Sequence, residues 1–203
     1  YLPRSRSGNG TIGDFAVYFS NDGQDWGDPV HTGTFEKLGL STVLFSDVGP
    51  TPPPNQTGNV ALGKAASQSS TGWGGVPARA VDGDTSGVYD QGSVTHTLKE
   101  DNAWWEVDLG ALHDLTAIHL WNRTDCCSYR LANFYVLVSD TPFASGDLNE
   151  VLNQPGVTAI AYSAVVGFDA EFSLDRTGRY VRVQHAGLAY LSLAEVQVMG
   201  TPR

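Results

Sequence analysis

The sequence is poor in cysteine, in methionine and in charge: its 203 residues hold two cysteines, one methionine and only 17% charged side chains. Two thiols are too few for a small disulfide-stapled scaffold, so folding must rest on a core, which 41% hydrophobic and 10% aromatic residues can supply. The same content excludes a disordered chain. No run approaches the roughly eighteen uninterrupted apolar residues of a membrane span. Tyr1-Leu2-Pro3-Arg4 lacks the basic-then-apolar order of a signal peptide, so the expected start is a mature end or a cut boundary. Basic residues are scarce too, 12 against 22 acidic, and the net charge of −10 repels phosphate backbones and anionic lipid. Nucleic acid is therefore not an expected partner, and an anionic membrane is disfavoured.

The two cysteines are neighbours, Cys126 and Cys127. Adjacent thiolates cannot form half of a zinc knuckle, which needs two to four residues between them to turn both onto one metal. Two readings stay open. One is a pair of reduced, partly buried thiols acting as small hydrophobes. The other is a vicinal disulfide, which closes almost no loop and so adds little chain-entropy stability; its use would be local shape, and it would need an oxidising compartment.

Gly (23) and Pro (10) punctuate short apolar alternations, and no stretch sustains a 3.6-residue period beyond about three turns. Residues Leu115–Trp121, Phe134–Val138, Tyr180–Gln184 and Val196–Val198 read as strands, so the fold class expected is an all-β antiparallel sandwich or jelly roll. Short helices are expected only near Pro77–Val81 or Asp147–Leu152. The proline-rich stretch 49–58 reads as an extended linker. It separates 48 upstream residues, marginal as an independent β domain, from 145 downstream, enough for one sandwich. Arg4 and Ile12–Asn21 match Arg123 and Leu131–Asp140 at a constant offset of 119, an internal repeat. Nothing upstream matches Trp104–Gly110 or the closing strands, so segment 1–48 reads as the middle of a module that borrows partner strands from the downstream sandwich or from a second chain.

Downstream, His96 is followed after 26 residues by Arg123-Thr124-Asp125, then Cys126-Cys127, then Arg130. With Asn59-Val60-Ala61, Ala80-Val81-Asp82-Gly83-Asp84 and Trp104–Gly110, this pattern resembles the F-type lectins, or fucolectins, over essentially all of 59–203; segment 1–48 resembles part of a generic discoidin-like module. The resemblance implies a discoidin-like jelly roll that binds L-fucose in a shallow pocket. It assigns His96, Arg123 and Arg130 to the axial 4-hydroxyl and nearby oxygens, and places the Cys126–Cys127 disulfide and Tyr89 against the sugar methyl, with Trp73 a looser candidate for the rim. Asp125 would orient a guanidinium. The residue chemistry agrees, since guanidiniums donate charge-assisted hydrogen bonds and never lose their charge. His31, His113, His119 and His185 carry no such spacing and are read as structural, and Trp104, Trp105 and Trp121 as core.

Asp82-Gly83-Asp84, with Ser93 and Glu195, suits a hard cation that takes six to eight oxygens, which points to Ca2+. By resemblance the shell comprises the carbonyls of Arg79, Ser93 and Ala194 with oxygens of Asp82, Asp84 and Glu195, a structural ion pinning the loop that leads to Tyr89. Catalysis is disfavoured: Asp82 and Asp84 have no opposed acid, and Ser93 and His96 lack a nucleophile elbow. Rival readings are a discoidin-type adhesion module that meets a membrane or protein through Trp73-Gly74-Gly75-Val76, or a carbohydrate-binding module of a larger extracellular glycosidase. N-x-[ST] acceptors occur at Asn9, Asn55 and Asn122, and a glycan on Asn122 would obstruct the pocket. One weak monosaccharide site implies a homo-oligomer or attachment to a larger secreted protein for useful avidity.

Overall fold

A computed structural model of the chain describes residues 57–203 and, upstream, 14–18, 29 and 31–34. The chain divides into two units, Tyr1–Thr51 and Pro52–Arg203. Arg4 of the repeat, Asn9 and Asn55, and positions 49–56 of the linker lie outside the described residues.

In the first unit β1 (Asp14–Val17) and β2 (His31–Thr34) pair antiparallel, with Asp14 opposite Thr34 and Val17 opposite His31. The second unit contains β3 (Gly58–Asn59), β4 (Ala65–Gln68), β5 (Glu100–Asp101), β6 (Trp104–Trp121), β7 (Phe134–Ser139), β8 (Thr158–Tyr162), β9 (Asp169–His185), β10 (Leu188–Ala189) and β11 (Glu195–Pro202), with one short helix, α1 (Leu148–Leu152). Gly58, read from sequence as the end of the linker, instead opens β3 against Gly200 of β11. At the repeat's offset of 119, Phe15 of β1 corresponds to Phe134 of β7. Each of these strands has an antiparallel partner downstream in the chain, β2 and β8, but the partners do not correspond at that offset, which places β2 on residues 150–153 at α1.

The fold is an antiparallel β-sandwich hung on two long strands, β6 and β9. One hydrogen-bonded path runs β3-β11-β6-β9-β7-β8, with β4 also on β6. The early part of β6 pairs with β4 and the end of β9, and its later part with β11 and the start of β9. Alternation explains the long strand: Trp105, Val107 and Leu109 point inward while Glu106 and Asp108 point out. After Leu115 the inward set becomes Ile118 and Leu120, a change of phase. The cause is a bulge beside β11, where Ala117 faces Met199 but Leu115 faces Gly200, leaving Thr116 as the extra residue.

The core gathers Trp105, Leu115, Ile118, Phe134, Val136, Val181 and Val196 among others. β7 is buried on both faces, because its Leu137 packs on Leu148 and Val151 of α1. Asp147 caps α1 by accepting the Glu150 N–H at 3.0 Å. Pro77–Val81, where the sequence predicts a short helix, forms a five-residue 3-10 helix with proline at its start. Of the tryptophans expected in the core only Trp105 is fully buried; Trp104 and Trp121 are half-buried, and Trp104 faces the Arg182 guanidinium at 4.6 Å.

Candidate functional site

The site lies where three loops meet the end of β6, and backbone pairing fixes each loop. His96 sits on a segment pinned from both sides. Its own N–H donates to Gly75 O at 2.9 Å and its carbonyl accepts from Gly72 at 2.8 Å; Thr95 and Thr97 bond to Leu193 and Leu191. That approach requires glycine, since a Cβ on Gly75 would stand 2.5 Å from the His96 nitrogen. Tyr89 stands on a 3-10 turn, and the preceding Gly87 carbonyl accepts the Thr124 N–H at 2.8 Å, which ties this loop to the arginine loop.

The arginine loop is anchored by Asn122. Its buried amide donates to the carbonyls of Ser128, Val166 and Gly167 at 3.0, 2.8 and 3.2 Å, and its oxygen accepts the Arg123 N–H at 2.7 Å. In the fold Asn122 is therefore a structural latch, and its side-chain nitrogen is inaccessible to a glycan. Cys126 and Cys127 are joined in a vicinal disulfide, with Cys127 in the left-handed region at φ 59°, so of the two sequence readings the reduced pair is set aside.

A concavity of about 310 Å3 is lined by Trp73, Tyr89, His96, Arg123, Cys126, Cys127, Arg130 and Tyr190. His96 is 5% exposed. Its Nδ1 lies 2.6 Å from Thr97 O, and a carbonyl can only accept, so Nδ1 carries the proton and Nε2 presents a lone pair. Nε2 lies 3.4 Å from Arg130 Nη1. Burial lowers the His96 pKa below 6.5, and the Arg130 and Arg123 charges act in the same direction against the Thr97 carbonyl. The site thus holds a neutral imidazole acceptor between two permanent donors. With this tautomer the long Arg130 Nη1 contact is donated to Nε2, and one hydroxyl that replaces it can satisfy all three groups, donating to Nε2 and accepting from both guanidiniums.

Asp125 is not part of the lining. It holds Arg123 from behind, accepting Nε at 2.6 Å and Nη2 at 3.1 Å, and its other contacts are the N–H groups of Cys126 and Tyr89. The Arg123 hydrogen bonds keep its carboxyl below the usual range. Arg123 lies over the Tyr89 ring at 4.7 Å and Arg130 over Tyr190 at 4.5 Å. Trp73 is 67% exposed, yet its ring meets His96 edge-on at 4.7 Å and its carbonyl accepts the Tyr89 hydroxyl, so it forms a wall rather than an outward spike. Sequence reasoning missed Tyr190, which no spacing or motif marks. His113 and His119 lie apart, bonded to Ala111 O at 2.8 Å and near Glu171 at 3.6 Å, and His31 is in β2. His185 is buried and borders the neighbouring groove rather than this pocket.

Behind the Tyr89 loop, the acidic turn closes over Glu195. Gly83 donates to Glu195 Oε2 at 3.3 Å, Asp84 to Asp82 Oδ1 at 2.9 Å and Ser86 to Asp84 Oδ1 at 2.9 Å. Glu195 is fully buried, its Oε1 has no partner, and its carboxyl is pushed up to about 7 by burial, with the nearby Asp82 and Asp84 charges adding to the rise. An unpartnered buried carboxylate oxygen beside two further acids fits a hard cation. No three of His, Cys, Asp or Glu converge at metal distance among the described residues, so such an ion would have to draw on carbonyls, as in the set expected from sequence. Ser93 Oγ accepts from Ser86 Oγ at 3.0 Å and reaches Val88 O, while His96 Nδ1 is occupied by Thr97, so the two form no nucleophile–base pair.

The family profile for F5/F8 type C domains, described as NedA-like, galactose-binding domain, matches residues 79–183. Fucolectin-1 of Anguilla japonica is 33% identical over 173 residues, covering 81% of this chain and 91% of its own length. The lectin domain of lectinolysin, solved with Lewis B antigen, is 39% identical and superposes with a TM-score of 0.61 over 69% of this chain and 94% of that one. The f-lectin from the serum of striped bass, Morone saxatilis, is 33% identical with a TM-score of 0.60, over 71% of this chain and 49% of that one. Identity at this level over most of both chains, on a β-sandwich carrying the His96, Arg123 and Arg130 cluster and the vicinal disulfide, makes this chain a member of the fucolectin family, the F-type lectins.

Proposed function

We propose that the chain is a lectin that binds terminal L-fucose on glycans in the pocket of His96, Arg123 and Arg130. The observation that carries this is the neutral Nε2 acceptor set between two guanidinium donors, the complement of a single hydroxyl. The axial 4-hydroxyl donates to His96 and accepts from Arg123 and Arg130. The 6-methyl packs on the Cys126–Cys127 sulfurs and the Tyr89 ring, a face on which the hydroxymethyl of galactose would lose hydrogen bonds to water. Asp125 positions Arg123, and Trp73 and Tyr190 close the rim.

A Ca2+ ion held by Asp82, Asp84, Glu195 and the carbonyls of Arg79, Ser93 and Ala194 supplies positive charge to the buried carboxylate and steadies the Tyr89 loop. The protein is not an enzyme, works in an extracellular, oxidising setting that preserves the disulfide, and meets fucosylated glycans as part of an oligomer or of a larger secreted protein.

Titration calorimetry tests the reading. L-fucose should bind saturably and be recovered unchanged, D-galactose should bind more weakly, and a chromogenic fucoside should not be cleaved. Loss of a charge-assisted hydrogen bond predicts that Arg123→Ala weakens binding by about tenfold or more. Full affinity in that variant would overturn the pocket assignment.

A further inference from the structure

Arg130 faces two concavities. Beyond it, and sharing Arg130 and Tyr190 with the fucose pocket, lies a groove of about 360 Å3 whose lining includes Lys99, Tyr129, Asn133 and Leu188. Its charge is unlike that of the whole protein. In a chain of net charge −10, two cations border this groove and no carboxylate belongs to its lining. The two arginines of the site also differ. Arg123 is neutralised by Asp125 at 2.6 Å, whereas neither Arg130 nor Lys99 has a carboxylate within ion-pair distance among the described residues. The acid next to Lys99 in sequence, Glu100, points its Oε1 at the Ser69 and Ser70 hydroxyls.

The walls are firm. The segment carrying Lys99 is held by the Leu98 N–H to Ser70 Oγ at 2.8 Å, and the ladder from β5 to β10 pairs Glu100 with Ala189 and Asp101 with Leu188. Asn133 takes a positive φ of 50°, and its carbonyl accepts the Ala186 N–H at 2.9 Å. Leu188, 60% exposed, and the Tyr190 ring offer the apolar surface on which the face of a pyranose packs. A glycan seated by its terminal fucose and continuing past Arg130 would enter a groove with a sugar platform and two unneutralised cations.

Building on the fucose reading, we propose that this groove is a subsite for an anionic substituent on the sugars next to fucose, a sialic acid carboxylate or a sulfate ester, with Lys99 and Arg130 as its counter-charges. Lys99 supplies a point charge with three donors, and Arg130 a planar fork that matches either oxyanion. The protein then selects acidic fucosylated glycans over neutral ones, and the selection is screened by salt because the groove is open.

The test compares a neutral Lewis-type trisaccharide with its sialylated and its sulfated forms, by calorimetry at about 0.05 M and about 0.5 M salt, on the wild type and on Lys99→Gln. The wild type is expected to bind at least one acidic form about three- to tenfold more tightly at low salt, with the ratio falling toward one at high salt. Which acid gains separates the carboxylate from the sulfate. In Lys99→Gln the ratio should fall toward one while affinities for free L-fucose and for the neutral trisaccharide stay within about twofold, which a general loss of fold would not produce. Equal binding of neutral and acidic forms by the wild type, or an unchanged ratio in Lys99→Gln, overturns the subsite and leaves the fucose pocket standing. Absence of L-fucose binding by the wild type overturns both.

Discussion

At the residue scale, recognition turns on the protonation of one imidazole. Thr97 O holds the Nδ1 proton, so His96 is an acceptor toward the pocket only while neutral. Burial, reinforced by Arg130 and Arg123, sets its pKa below 6.5, so the acceptor survives through neutral pH. Protonation would remove the lone pair and add a third positive charge beside two arginines. L-fucose affinity is therefore expected to be flat above about pH 7 and to weaken on acidification through the lowered His96 pKa; calorimetry across pH 4.5 to 8 checks this. A constant affinity over that range would contradict the donor and acceptor roles given to the ring. The same shift acts on stability with the same sign. The unfolded histidine takes up a proton near pH 6.5 before the folded one does, so acid erodes stability from that point downward.

At the scale of elements, two features bury charge in the described fold. Glu195 on β11 is buried with a free oxygen, and the turn at Asp82 to Asp84 folds over it. If Ca2+ resides there, its addition should raise the melting temperature and tighten sugar binding by steadying the Tyr89 loop, and chelation should reverse both. Glu195→Gln relieves the buried charge and is expected to melt no lower than the ion-free wild type while losing the Ca2+ response. A response kept by that variant would place the ion elsewhere. The second feature is the cross-strand pair Glu106 and Arg182, 2.7 Å apart between β6 and β9. Burial raises the Glu106 pKa and lowers that of Arg182, the mark of two charges held out of water against their mutual attraction. Arg182 also donates to Ser145 O at 2.7 Å and packs under Phe143 at 4.4 Å, tying the α1 region to the sheet. Arg182→Met alone should cost about 3–5 kcal/mol by leaving Glu106 unpaired, and adding Glu106→Leu should recover most of it. Chemical denaturation of the two variants measures the difference.

At the scale of the molecule, every residue placed in the pocket belongs to the unit Pro52–Arg203. A chain of residues 57–203 is therefore expected to bind L-fucose within about twofold of the full chain. Such a single-site unit should fail to cross-link fucosylated cells until it is dimerised artificially, because avidity needs a second tethered site. Calorimetry and an agglutination assay on the same preparation check the two halves of that expectation. At the repeat's offset of 119 β1 falls on β7, whereas β2 falls on residues 150–153 at α1, so the likeness among the described residues is confined to one strand.

What the sequence determined by itself is what local pattern can carry. Alternation marked the later half of β6, and short β-branched and aromatic runs, buried on both faces, marked β7 and the end of β9; spacing and resemblance pointed to His96, Arg123 and Arg130, which the fold brings into one pocket. The tertiary structure decided the rest, because it depends on residues far apart in the chain. Two adjacent thiols read equally as a reduced pair until the turn at Cys127 closes them into a disulfide. Asn122 reads as a glycan acceptor until three carbonyls from two loops enclose its amide. Asp125 reads as a residue that orients a guanidinium, and the fold decides that this guanidinium is Arg123, held from behind. Tyr190 carries no local signal, since only the return of the chain after β10 brings its ring over Arg130. The strand phase change at Thr116 has the same origin: it follows from the registers of β6 with β11 and with β9, both of which shift between Leu115 and Ala117.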